Sequence, residues 1–175
     1  DVQRKMDKAS KAADRLWGPA RLKQMQAANN ALETEVGLLG QKIEEAEGYL
    51  AEDRDALEAA LPGVSFDSSG NIENYDQIMG DLYSQLSQAE KNAGDEWTEE
   101  EKEGIEKIKE RIETVKDAIE QYDESKELLQ DLEDEQLEKI YQWQDNNYEM
   151  LNYELEIDLE INEKKMEYVE YYLGK

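Results

Sequence analysis

The chain has 175 residues, 38% of them hydrophobic and 37% charged, and its 45 acidic against 20 basic side chains give a net charge of -25. This composition favours long helices over a broad globular core, and the acidic field disfavours binding of nucleic acids or anionic membranes by this segment. Because Cys and His are both absent, disulfides, thiolate or imidazole metal ligands and the usual general base are excluded, so we predict no catalytic residue, no metal and no cofactor.

The first predicted element is a lead-in helix, with apolar residues from Val2 to Leu16 at alternating spacings of four and three. Trp17, Gly18 and Pro19 predict a break in this helix, because Gly suits a helix end and Pro suits the first turn of the next one. No apolar run approaches the ~20 residues of a membrane span. Since the sequence begins with Asp1, we expect it to be a piece of a longer polypeptide.

The first helical arm is predicted for residues 1–61, with the break at 17–19. After the break, one apolar stripe with spacings of three and four predicts a coiled-coil seam. Its members are Leu22, Met25, Asn29, Leu32, Val36, Leu39, Ile43, Ala46, Leu50, Asp53, Leu57 and Leu61.

Residues 62–98 are predicted to form a tip at which the chain reverses. Pro62 and Gly63 end the first arm, and residues 64–73 are typical of a small β-hairpin with a Gly-containing turn. Asn74 and Gln77 predict a capping box for a helix of residues 75–92, and Trp97 is expected to anchor the following turn.

The second helical arm is predicted for residues 99–150. Thr98 and Glu101 form a capping box, and acidic residues fill the first turn, where the helix dipole favours them. Its seam again alternates spacings of three and four: Ile105, Ile108, Ile112, Val115, Ile119, Tyr122, Lys126, Leu129, Glu133, Gln136, Ile140 and Trp143.

The two seams are expected to pair in antiparallel fashion, because neither arm can bury its stripe alone. The pairing that matches their ends places Leu61 opposite Ile105, Leu22 opposite Trp143 and Asn29 opposite Gln136. The last two residues could satisfy each other's amides and fix the register.

From residue 151 apolar and polar residues alternate strictly, which predicts a half-buried strand at residues 151–161 and a short terminal helix within 151–175. The alternative is that the second arm continues as helix, since Leu and Glu are good helix formers. Aromatic residues are also dense here and suit either a protein interface or packing at the base of the hairpin. The candidate interface residues are Leu151, Tyr153, Leu155, Ile157, Leu159, Ile161, Tyr168, Tyr171 and Tyr172.

Oxygen-bearing side chains between Asp67 and Asp76 admit a calcium loop as an alternative at the tip. The spacing favours a plain turn, because Gly70 is not the sixth residue from Asp67 and the twelfth is Ile78 rather than a Glu. The acidic cluster of residues 99–103 is interpreted as a solvated helix face, because catalytic carboxylates need a cleft that shifts their pKa values.

Residues 63–79 resemble a G-V-x-F-D-x-x-G-N-I-x-N-Y-D-x-I pattern of tail tape measure proteins from long-tailed bacteriophages and prophages. Residues 12–22, the acidic helix ending near Ile140, and residues 153–157 leading into 167–173 look similar in the same order. The resemblance implies a virion protein, assembled in the bacterial cytoplasm, that takes part in tail assembly and length determination. Its implied partners are copies of itself or other tail proteins.

The sequence thus predicts an all-α antiparallel helical hairpin, a coiled coil with a small β-hairpin at its tip and a C-terminal strand followed by a short helix. We expect a structural protein rather than an enzyme. The alternative is a generic acidic coiled-coil spacer or scaffold that mediates protein–protein interaction.

Overall fold

The computed structural model describes residue 4 and residues 18–174, and its regular secondary structure is helical, which confirms the all-α part of the predicted fold class. Within residues 18–174 three helices follow in order: α1 at Gly18–Ala60, α2 at Tyr75–Ala93 and α3 at Glu99–Leu173. Apart from residue 4, the predicted lead-in helix from Val2 to Leu16 lies outside the described residues. Gly18 begins α1, with Pro19 in its first turn, where the missing Pro N–H has no helical partner to lose.

Local sequence explains how α3 begins. The Thr98 hydroxyl oxygen accepts a hydrogen bond from the Glu101 backbone N–H at 3.2 Å and donates to Glu101 Oε1 at 3.1 Å. Three glutamates occupy the first turn of α3, where the exposed backbone N–H groups attract negative charge. The Thr98 half of the predicted capping box is therefore confirmed, whereas the Glu101 carboxylate accepts from the Thr98 hydroxyl instead of the Thr98 backbone N–H.

The capping box predicted for α2 is wrong. Asn74 occupies the N-cap position but its side chain makes no capping hydrogen bond. Instead the side-chain oxygen accepts from Ser65 N–H at 3.3 Å, and the side-chain nitrogen donates to the Gly63 carbonyl at 3.4 Å. The Asn74 side-chain amide thus stabilises the preceding loop and does not cap α2.

The strand predicted for residues 151–161 is also wrong, because α3 continues as helix through Leu173. Leu155 and Leu159 are exposed, whereas Tyr153 and Ile157 are half-buried. Residues two apart in a helix point to different sides, so the strict alternation comes from two separate helical stripes at spacings of four. Leu and Glu favour this helical reading, and the part of the chain that the structure describes contains no strand.

At the tip the structure has one isolated antiparallel bridge, between Phe66 and Ile72, where the sequence predicted a β-hairpin. Asp67 N–H donates to the Asn71 carbonyl at 2.8 Å, and Glu73 N–H donates to the Ser65 carbonyl at 3.0 Å. The two hydrogen bonds flank the bridge.

The chain divides into two compact units. The central unit comprises residues 42–132, and its core is a cluster of buried side chains from α1, α2 and α3: Leu57, Leu61, Met79, Leu82, Ile112, Val115, Ile119 and Tyr122. The terminal unit combines the chain up to Gln41 with the chain from Glu133 onward. Within its described part, α1 and α3 run in opposite directions, since Arg21 lies against Tyr153 whereas Val36 contacts Gln136.

Candidate functional site

The tip loop of the central unit, residues 61–74, is shaped by backbone requirements of its own residues. Gly63 and Gly70 have φ angles of +91° and +81°, a region that side chains with a Cβ rarely adopt. Asp67 Oδ1 accepts hydrogen bonds from the backbone N–H groups of Asn71 at 2.8 Å and Ser69 at 2.9 Å. These hydrogen bonds, that from Asn71 first, hold the pKa of the Asp67 carboxyl below its ordinary value. The Asp67 side chain thus stabilises the turn.

Helix α3 holds the tip loop from one side. The Tyr122 hydroxyl donates to the Gly70 carbonyl at 2.5 Å, and the Tyr122 ring packs on Phe66 with centroids 5.2 Å apart. The Arg54 guanidinium carbon lies 4.3 Å from the centroid of the Phe66 ring, above its face. Tyr122 is only 2% exposed, and this burial raises the pKa of its hydroxyl. The tip is therefore fixed by a buried aromatic side chain 52 residues further along the chain.

Two polar members of the predicted seams also serve the central unit. Lys126 Nζ donates to Asn71 Oδ1 in the tip loop, and Asp53 Oδ2 accepts from the Ser125 hydroxyl. The antiparallel pairing predicted from the sequence would place Asp53 opposite Ile112, and Lys126 near Leu39 or Gly40. The structure corrects both placements, because each charged side chain lies where a polar partner is available.

The twenty seam residues proposed from the sequence are all buried or half-buried. They comprise Leu22, Met25, Asn29, Leu32, Val36, Leu39, Ile43, Leu50, Leu57, Leu61, Ile105, Ile108, Ile112, Val115, Ile119, Tyr122, Leu129, Gln136, Ile140 and Trp143. The seam prediction therefore selected side chains that the folded chain shields from solvent.

The register predicted for the terminal unit is wrong. Gln136 Nε2 donates to the Val36 carbonyl at 3.3 Å, and the same nitrogen lies 3.4 Å from where a Cβ on Gly40 would stand. Asn29 lies instead against Trp143. The partner of Gln136 is therefore seven to eleven residues further along α1 than expected.

Asn29 is the one buried polar side chain in the described chain, at 5% exposure. With its amide oriented to satisfy both ends, its nitrogen donates to the Trp143 carbonyl at 3.2 Å and its oxygen accepts from Trp143 Nε1 at 3.3 Å. Trp143 Nε1 also lies 3.1 Å from Glu33 Oε1, and Lys139 forms a 3.2 Å ion pair with Glu35. These polar contacts define the alignment of the two helices in this unit.

The candidate interface residues of the C-terminal segment do not share one surface. Tyr153 and Ile157 are half-buried and lie against Gly18 of α1, at 3.4 and 3.5 Å from a Cβ built there. The remaining predicted interface residues are exposed: Leu151, Leu155, Leu159, Ile161, Tyr168, Tyr171 and Tyr172. The ring of Tyr172 contacts the rings of both Tyr168 and Tyr171, with centroids 4.5 and 5.4 Å apart.

An apolar surface runs along α3, and the sequence interpretation named Leu151, Leu155 and Leu159 as interface candidates without connecting them to its other six members. We call it the α3 stripe, and each of its nine apolar side chains is at least 47% exposed. At 3.6 residues per turn they fall within an arc of about 80° on one side of the helix. The signal was the 3-and-4 spacing, which the apparent alternation concealed. The members are Leu137, Tyr141, Tyr148, Leu151, Leu155, Leu159, Met166, Val169 and Leu173.

Within residues 4 and 18–174, no group of three or more Asp or Glu side chains is arranged to hold a metal ion. None of the described helices is long and apolar enough to cross a membrane. No protein-family model matches the chain, and neither a curated protein nor a solved structure is significantly similar to it.

Proposed function

We propose that this chain is a structural, non-enzymatic segment of a tail tape measure-like protein of a long-tailed bacteriophage or prophage, involved in tail assembly and length determination. The supporting observation is the tip loop. The residues that carry the resemblance are those that shape this loop: Gly63, Phe66, Asp67, Gly70 and Asn74. The pattern is therefore the signature of a structural element, as a structural role requires.

The proposal includes an antiparallel coiled coil of α1 and α3. Support comes from the seam spacing of three and four and from contacts whose partners run in opposite directions, such as Glu33 with Trp143 and Arg21 with Tyr153. Asn29 acts as the polar seam residue that selects the alignment, since a buried amide without partners costs about 1–3 kcal/mol.

The second candidate is an acidic coiled-coil spacer or scaffold that binds a basic protein outside any virion. The net charge of -25 and the exposed apolar side chains of α3 favour this class as much as they favour a tail protein. Both candidates assign the chain to protein association, and they differ in where the protein is found.

Fractionation of phage particles separates the two candidates. In a bacterium that carries the gene, the protein would be given an internal epitope tag, the prophage induced, and particles purified on a density gradient. We expect the protein in the tail fraction, and we expect particles without normal tails after in-frame deletion. A tagged protein that stays with the particle-free fraction, together with normal tails in the deletion strain, would support the spacer instead.

A further inference from the structure

The α3 stripe belongs to a helix face that α1 does not cover. In the terminal unit the α3 side chains that contact α1, such as Gln136, Trp143 and Tyr153, lie about 100–160° around the helix from the centre of the stripe. A helix whose second face is apolar and exposed over residues 137–173 has an unused packing surface.

The stripe has an internal repeat of 18 residues. Leu137, Leu155 and Leu173 occupy equivalent positions, and every other member also has an equivalent 18 residues away. Eighteen residues are five turns at 3.6 residues per turn, so the stripe stays on one side of a straight helix instead of drifting as a strict seven-residue repeat does. A second straight helix could therefore lie along the whole surface.

One flank of the stripe is acidic throughout. At 3.6 residues per turn, exposed carboxylates lie about 60–120° around the helix from the line through Leu137, Leu155 and Leu173. They include Glu138, Asp145, Glu149, Glu156, Glu163 and Glu170. In the described chain none of these six has a cation within ion-pair distance. An apolar stripe beside a row of carboxylates matches an amphipathic helix that has Lys or Arg along one flank.

A second copy of the chain is a poorer match. Residues 137–173 contain ten acidic and three basic side chains, so two copies would bring like charges together along the surface. We propose that the α3 stripe is a docking surface for a basic amphipathic helix of another protein. The inference rests on the proposed role in protein association and specifies the chemistry of the partner.

The test uses the full chain and a fluorescent, amidated 18-residue peptide of Leu and Lys, with Leu at 3-and-4 spacing. A peptide of the same composition, permuted so that no single face is apolar, is the control for charge alone. Binding would be measured by fluorescence anisotropy at 0.15 M salt. We expect the patterned peptide to bind at least tenfold more tightly than the permuted one, because only it fills the stripe while pairing with the carboxylates.

The variant L151A/L155A/L159A tests the location. These side chains are exposed and Ala favours helix, so the fold should persist, as circular dichroism would verify. We expect binding at least tenfold weaker than in the unmodified chain. L38A is the matched control, because Leu38 is as exposed as Leu151, at 53%, but lies on α1; it should bind normally.

Absence of binding, or equal binding to the triple variant, would overturn the proposal. Sedimentation equilibrium tests whether a second copy of the chain occupies the stripe. Self-association that L151A/L155A/L159A abolishes would assign the stripe to a second copy and overturn the proposal. None of these results depends on phage particles. A chain missing from tails that still binds the peptide through the stripe would refute the tail role alone.

Discussion

Replacement of Gly70 by Ala should destabilise the central unit more than replacement of Gly63. Both glycines have positive φ angles, so Ala at either position costs about 1–2 kcal/mol of backbone strain. A Cβ at Gly63 meets no atom within 4 Å, whereas a Cβ at Gly70 would lie 3.1 Å from the Tyr122 hydroxyl oxygen. That contact displaces the hydroxyl from the Gly70 carbonyl, which adds about 0.5–1.5 kcal/mol.

The assay is urea unfolding followed by far-ultraviolet circular dichroism, with hydrogen exchange of the tip amides as a local readout. We expect G63A to lower the free energy of unfolding by about 1–2 kcal/mol and G70A by about 2–3 kcal/mol. In a Y122F background the two substitutions should cost about the same, because the hydroxyl is gone. Equal costs in the unmodified chain, or an unchanged difference in the Y122F background, would refute the role of the Tyr122 contact.

Three further predictions test the cap, the register and the buried tyrosine. T98A should lower the free energy of unfolding in urea by about 1 kcal/mol, whereas T98S should be near neutral because it keeps the capping oxygen. Because the chain has no Cys of its own, introduced Cys pairs report the register directly. The pair G40C/Q136C should oxidise to a disulfide, and the pair N29C/Q136C should not. The reverse result would support the alignment predicted from the sequence. Burial raises the pKa of the Tyr122 hydroxyl above 10.0 in the folded chain, so this hydroxyl ionises at lower pH in the unfolded chain. The contribution of Tyr122 to the free energy of unfolding is therefore complete below pH 10 and is lost as the pH rises through the folded-state pKa. The stability difference between the unmodified chain and Y122F in urea should therefore shrink above pH 10, and a constant difference would contradict the burial effect.

The sequence determined the helices well because their signals are local. The Thr98 cap and the acidic first turn of α3 lie within a few residues of each other, and the seams depend on spacings of three and four. The segment from residue 151 shows where this reading fails. Its alternation of apolar and polar residues is typical of a strand, yet the apolar residues also form two helical stripes at spacings of four. The period alone does not decide between strand and helix when the residues are good helix formers.

Register could not be read from the sequence, because an apolar pattern with a period of seven survives a slide by seven residues. Only contacts between distant residues choose among the alignments. In the terminal unit the choice is made by Asn29 with Trp143 and by Gln136 with the Val36 carbonyl. The sequence showed that polar residues interrupt the seam, but it did not show which partners they would have.

At the tip, too, local sequence determined some features and the tertiary structure determined others. Its turn residues, with Gly at the positions of positive φ and Asp67 beside its own backbone donors, were fixed by local chemistry. The tertiary structure alone decided that Tyr122 would hold Gly70 and that Lys126 would leave the seam for Asn71. These contacts join residues more than 50 positions apart, and the packing of three helices, rather than any local pattern, brings them together.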